Sequence, residues 1–220
     1  LPPKATQASG YDVLTHAVEA YVSLFATDYT NGFAKTATKL VFDYLPRAYH
    51  NGAKDPEARE KMADASAIAG IAFANAMLGI NHSLSHKVGG WFHIPHGTAN
   101  ALMFTTVCKY NANRTPTKMG TFSQYKYPQA FERYCELAEY GFKGKDDEET
   151  FANWIKAGED LKKAVDIPET IQDWGVDEKA FLDVVDNMAE WAFHDACTGC
   201  NPVYPTFEDL KECYLRAYYG

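Results

Sequence analysis

Positive charge is scarce in this 220-residue chain, where 21 Lys and Arg face 29 Asp and Glu for a formal net charge of -8. The sequence pI is about 5.3. The basic residues are scattered rather than gathered into a stripe, so nothing suits a phosphate backbone and no nucleic-acid partner is expected. Long apolar runs are also missing. None approaches the roughly 18 to 20 residues that a bilayer-spanning helix needs, and Leu1-Pro2-Pro3-Lys4 does not read as a signal peptide. The expectation is a cytoplasmic protein with no membrane partner. Cysteine is sparse and odd in number, five residues in all, which points to reduced thiols rather than a disulfide framework. Cys197-Thr198-Gly199-Cys200 has CxxC spacing, but it lacks the second pair of a zinc site and the βαβ surroundings of a redox motif. No strand-like alternation persists beyond a few residues, and no G-x-G-x-x-G turn appears.

What is present is helical periodicity. Val13, Leu14, Ala17, Val18, Tyr21, Val22 and Phe25 recur at steps of three and four and mark one face of a first helix over 11–26. After a polar break at 28–31, Phe33, Ala37, Leu40, Val41 and Leu45 repeat the period until Pro46, where a second helix is expected to end. A third, over 57–79, is rich in Ala and Met, with so many small residues that it reads as the buried centre of the fold. Residues 80–90 form a helical stretch, followed by the Pro95-His96-Gly97 corner and a further apolar helix over 98–110 with Thr98 as its cap. The segment 111–128 reads as a long surface loop. Further amphipathic helices are expected over 130–140, 149–165, 178–193 and 204–219. The fold class is therefore all-α, one bundle of about eight helices spanning 1–220, with neither a repeat nor a dividing linker.

Two short segments concentrate the chemistry. Asp12 and His16 stand at i and i+4, which places both side chains on one helix face about a turn apart. His82 and His86 repeat that spacing, and His96 follows a proline that ends the regular structure. A carboxylate with several imidazoles suits a first-row divalent ion such as Fe, Zn or Co, and an unfilled coordination position would make that ion a Lewis acid. Alternatives stand beside this reading. Asp12 lies near enough to Ser9 and Gly10 to serve the free amides of a helix start. His50 and His194 read as packed or hydrogen-bonded residues.

The run Ser9-Gly10-Tyr11-Asp12-Val13-Leu14-Thr15-His16-Ala17-Val18-Glu19-Ala20-Tyr21 resembles the first signature of the iron-containing alcohol dehydrogenases. The run Asn81-His82-Ser83-Leu84-Ser85-His86-Lys87-Val88-Gly89-Gly90, continued through Phe92-His93-Ile94-Pro95-His96-Gly97, resembles the second. The latter hexapeptide, Gly120-Thr121-Phe122-Ser123-Gln124-Tyr125-Lys126-Tyr127-Pro128 and the ending Leu215-Arg216-Ala217-Tyr218-Tyr219-Gly220 are similar to the alcohol dehydrogenase half of the bifunctional aldehyde-alcohol dehydrogenases. The resemblance implies the helical, metal-binding C-terminal domain of a dehydroquinate synthase-like enzyme. Its metal ligands fall on Asp12, His16, His82 and His96, and its non-ligand histidine beside the metal falls on His86. His93 belongs to the subfamily pattern.

The implied cofactors are Fe2+, with Zn2+ or Co2+ able to take its place, and NAD(H), bound mainly by an α/β nucleotide-binding domain absent from this chain. The implied reaction interconverts acetaldehyde or another short aldehyde with its primary alcohol, the cation polarising the oxygen. His86 would relay a proton or contact the nicotinamide, or else only orient His82 by a hydrogen bond. His93 would line or cover the cleft. The chain alone is expected to bind metal and turn over little, and the full-length enzyme to form a homo-oligomer or filament. Two rivals remain: a metal-dependent hydrolase or lyase, and a helical assembly module.

Overall fold

A computed structural model describes residues 1–115 and 129–220 of the chain. Gly120–Pro128, one of the stretches carrying the resemblance, lies outside the described residues. Among those residues ten α-helices and one short 3-10 helix follow one another: α1 (Pro3–Val22), α2 (Asp28–Asn51), α3 (Pro56–Ala76), α4 (Ile80–Phe92), α5 (His96–Asn111), α6 (Ala130–Ala138), α7 (Asp147–Ala164), α8 (Glu178–Leu182), α9 (Val185–Phe193), η1 (Ala196–Cys200) and α10 (Phe207–Tyr219). No strand occurs among the described residues, so the all-α expectation holds. No single described helix is long and apolar enough to cross a membrane.

α1 opens with Pro3 in its first turn, where the missing N–H costs nothing, and runs on through the apolar stripe to Val22. It is therefore eight residues longer at its start than the stripe alone suggests. Asp12 consequently sits in mid-helix, where backbone amides are already bonded, and its role as a cap falls away. α2 is launched by a Thr27–Thr30 capping box and continues through Pro46 to Asn51. The expected stop at Pro46 is overridden because Val41, Leu45 and Ala48 on that helix are all buried against neighbours. α5 begins at His96 behind Pro95, with no side-chain cap, so Thr98 is not its cap but a buried residue one turn in. The expected 178–193 helix breaks at Asp183–Val184 into α8 and α9.

The centre of the fold is α1, not α3. α1 packs against α2, α3 and α5 and buries residues all round, from Gly10 and Tyr11 through Val22. α3 buries only Ala58, Ala65, Ala69, Ala72 and Ala76, a single seam, while Ala63, Ala67 and Ala74 face outward. Small side chains permit close approach from several sides but do not demand it, which is why alanine content misplaced the centre.

The approach of α5 to α1 is limited by a glycine. A Cβ on Gly97 would come within 1.9 Å of the Ala8 carbonyl oxygen and 3.0 Å of the Asp12 Cβ. That contact places His96 beside Asp12. Gly97→Ala is therefore expected to push α5 off α1 and destabilise the protein by about 1 to 3 kcal/mol or more, the usual cost of overpacking against backbone. Urea unfolding of the two proteins measures this, and an unchanged midpoint would contradict the close approach.

Candidate metal centre

Three helices carry the candidate ligands: α1 supplies Asp12 and His16, α4 supplies His82, and the first residue of α5 is His96. One donor atom from each of these four side chains lies within 4.8 Å of every other. Asp12 Oδ1 stands 3.6 Å from His82 Nε2 and 3.4 Å from His96 Nε2, and Asp12 Oδ2 stands 3.8 Å from His16 Nδ1. The His16 ring lies between Phe73 and His82, with centroids 4.4 and 4.6 Å away, which fixes its tilt. The four residues expected from the sequence are thus brought together.

Two other histidines are placed differently. His86 sits next to the group, its ring stacked on His96 at 5.4 Å, but its Nδ1 is 3.0 Å from Asp195 Oδ2 and bonds there. Its hydrogen bond does not go to His82, so the merely orienting role considered for it is not what the structure shows. Lys87 Nζ donates to the same Asp195 oxygen at 2.7 Å. That ammonium makes the His86, Asp195 and Cys197 group a poor second cation site. His93 ends α4 in the left-handed conformation, φ 55°, and is exposed outside the cluster. His50 bonds the Ala164 carbonyl at 2.7 Å, as a packed surface residue would. Cys197 and Cys200 are free thiols on η1.

Two residues that sequence reasoning passed over hold the group in place. Glu19, one turn beyond His16 and almost fully buried, accepts the Nδ1–H of His82 through Oε2 and the Asn81 backbone N–H at 2.7 Å through Oε1. It does for His82 what carboxylates behind metal-bound histidines do, fixing the tautomer so that Nε2 faces the site. Gly79 makes this possible, since a Cβ there would lie 2.9 Å from Glu19 Oε1 and 2.7 Å from Asn201 Oδ1. Asn100, fully buried on α5, presents its amide nitrogen to the ligands themselves. The signal for Glu19 was its i+7 spacing from Asp12 on the same helix face; nothing local marked Asn100.

The electrostatics favour a cation. Burial would lower the His82 pKa, but Glu19 and then Asp12 outweigh it and raise it to about 9. Burial would raise the Asp12 carboxyl, yet the hydrogen bond from His82 and the charges of His16 and His96 hold it below the usual carboxylate range. Burial dominates at His16, pushed down to about 4, and at His96, also lowered, so both imidazoles stay neutral with a lone pair available. Two carboxylates with neutral nitrogen donors leave negative charge that a divalent cation would balance, and the pull that favours a proton on His82 favours a metal ion equally. The donor set fits one.

Exposure is graded across the group. The His82 side chain is 1% exposed and Asp12 20%, while His86 and His96 reach 39% and 43%. The cluster is closed behind α4 and open on the His86–His96 side, as a site that admits a reactant must be. A separate cavity of about 230 Å3 between α5, α7 and α10 is lined by Lys109, Lys163 and Arg216. Those cations already face Glu159, Glu169 and Glu212.

Comparison with known proteins gives the family. The sequence profile of the Fe-containing alcohol dehydrogenase family, C-terminal, matches residues 6–218. The chain belongs to that family. It is similar to the bifunctional aldehyde-alcohol dehydrogenase of Escherichia coli (strain K12), 48% identical over 226 residues that cover 100% of this chain and 25% of that protein. It is 38% identical to the NADPH-dependent butanol dehydrogenase of Clostridium saccharobutylicum, covering 100% of this chain and 52% of that one. Among solved structures, the iron-containing alcohol dehydrogenase of Thermococcus thioreducens superposes with a TM-score of 0.84 at 36% identity, over 100% of this chain and 52% of that one. The chain thus spans between a quarter and about half the length of these alcohol dehydrogenases. Its matching part is their C-terminal, helical one.

The Glu19 contact generates a stability prediction. Glu19→Ala strands the buried His82 Nδ1–H and Asn81 N–H, so unfolding free energy should fall by roughly 3 to 5 kcal/mol, the cost of breaking a buried charged pair. Chemical denaturation reads this directly. A loss under about 0.5 kcal/mol, typical of a surface site, would contradict the assignment.

Proposed function

We propose that Asp12, His16, His82 and His96 hold a single catalytic divalent cation, Fe2+ by family likeness with Zn2+ or Co2+ able to replace it. The chain would then be the metal-binding domain, 1–220, of an NAD(H)-dependent alcohol dehydrogenase acting on acetaldehyde or another short aldehyde and its primary alcohol. The observation that carries this reading is the convergence of those four donors from three helices, buried on one side and open on the other.

When bound, the cation supplies an electrophile for the carbonyl or alcohol oxygen, and the nicotinamide supplies or accepts the hydride. The chain's own residues do the rest. Glu19 keeps His82 Nε2 turned into the site, and the stacked rings of Phe73 and His82 hold His16. His86 stands at the open side with Nδ1 committed to Asp195, which leaves Nε2 as the atom that takes or gives the proton of the alcohol. His93, exposed where α4 ends, would contact the cofactor, as the family resemblance implies.

A nucleotide-binding domain, expected within the length by which the relatives exceed this chain, would come from outside residues 1–220, so residues 1–220 alone should bind metal yet turn over little. In the full-length enzyme we place it in the cytoplasm as part of a homo-oligomer or filament. Support for the substrate class comes from the aldehyde and alcohol activities for which the relatives are named, and for the metal from the donor set.

Anaerobically purified protein should carry close to one equivalent of divalent ion by elemental analysis, and His82→Ala and His96→Ala should each lose most of it. Wild-type protein without ion, or variants that retain it fully, would sink the assignment. With a nucleotide-binding domain restored, His86→Ala should lower kcat by roughly 10²- to 10⁴-fold, the range for loss of a positioned proton-transfer group, with ion content unchanged. A loss of ion in that variant would instead make His86 a ligand.

A further inference from the structure

Asn100 is a neutral residue in the middle of a charged group. Its Nδ2 donates to Asp12 Oδ1 at 2.6 Å and lies 3.2 Å from both His82 Nε2 and His96 Nε2. The side chain is entirely shielded from solvent. An amide nitrogen has two hydrogens, so three neighbours cannot all be served at full strength, and the short bond to Asp12 is the one that dominates.

The orientation of that amide is not a free choice. Asn81 Nδ2 lies 3.0 Å from Asn100 Oδ1 and 3.1 Å from the Asn100 backbone carbonyl. Only a nitrogen can face two oxygens, which fixes the Asn81 amide, and the Asn81 nitrogen in turn requires that Asn100 present its oxygen there. The Asn100 nitrogen must then point at Asp12. Asn81 is itself anchored through its backbone N–H on Glu19 Oε1. Among the described residues its own Oδ1 is buried without a partner, so the pair is kept in this arrangement at some cost. An unbroken buried chain therefore runs from Glu19 through Asn81 and Asn100 to Asp12, joining α1 to itself by way of α4 and α5.

We propose that Asn100 is a positioning residue for the metal site, and that Asn81 is the latch that sets its direction. A neutral donor suits the task. It satisfies Asp12 without neutralising it, as a lysine would, and so leaves the carboxylate attractive to a cation. It also keeps Asp12, His82 and His96 facing one another before an ion arrives, reducing the ordering that binding must supply. Once the imidazole lone pairs are engaged, the bond that remains to Asn100 is the one to Asp12.

This role rests on the metal reading above, and the test separates the two. Chelator-stripped protein is titrated with Co2+, reading Kd by competition with a chromophoric chelator and the ligand field by the visible absorption of the bound ion. Asn100→Ala should weaken Co2+ binding by about 10- to 100-fold, the effect typical of residues that orient metal ligands, and should change the absorption band. Asn81→Ala, which leaves Asn100 intact but unlatched, should move both readouts in the same direction by less. Asn111→Ala removes a buried asparagine at the far end of the same helix, bonded to Asn201 at 2.7 Å. It should lower the melting temperature while leaving Kd and band as in wild type.

Wild-type Kd and band in Asn100→Ala overturn the proposal. Should that variant fail to fold by circular dichroism, wild-type values in Asn81→Ala overturn it instead. A matching change in Asn111→Ala would also overturn it, by showing that any buried asparagine has the same effect. Wild-type protein that takes up no Co2+ would remove the metal reading itself, and this role with it.

Discussion

The buried contact between Glu19 and His82 is the interaction on which the rest of the site depends. A carboxylate taken out of water between α1 and the start of α4 is costly unless its oxygens are met, and here one meets an imidazole N–H and the other the Asn81 backbone N–H. The second bond also satisfies an amide at the start of α4, a helix whose N-cap is Gly79 and so brings no side chain of its own. Asn201 serves Ile80 in the same way at 3.2 Å. One buried charge thus seats a helix, fixes a tautomer and aims a nitrogen, and glycine at position 79 is what lets it come close enough.

From that fixed point the geometry follows outward. α4 carries His82 to the face of α1 where Asp12 and His16 lie a turn apart, and the close contact at Gly97 brings α5 in with His96. Three of the four candidate ligands are held by close neighbours: His82 by Glu19, His16 by the rings of Phe73 and His82, and Asp12 by Asn100. Burial grades from His82 outward to His86 and His96, so the rigid side and the accessible side of the site are different sides. That asymmetry is what a centre admitting a reactant would need and one that only ties helices together would not. On the accessible side the His86–Asp195 pair stands next to the candidate ligands and distinct from them.

Much of this was legible in the sequence wherever the governing rule is local. Periodicity at three and four residues depends on helix geometry alone, so the all-α fold and the i, i+4 pairing of Asp12 with His16 could be read directly. Errors came where neighbours decide. Pro46 should end a helix, but burial of Leu45 and Ala48 on either side carries α2 past it. The alanines of α3 announce only that a helix could be approached closely, and the partner that is surrounded is α1.

The sequence by itself determined the helices, the candidate ligand residue types and the family signatures, because each is written in spacing along one segment. Only the tertiary structure decided which side chains stand behind the candidate ligands. Glu19 meets His82 across 63 residues, Asn100 meets Asp12 across 88 and His86 meets Asp195 across 109. Nothing in local spacing selects those partners. They are chosen by which helices cross, and crossing is set by the packing of faces that no single segment contains.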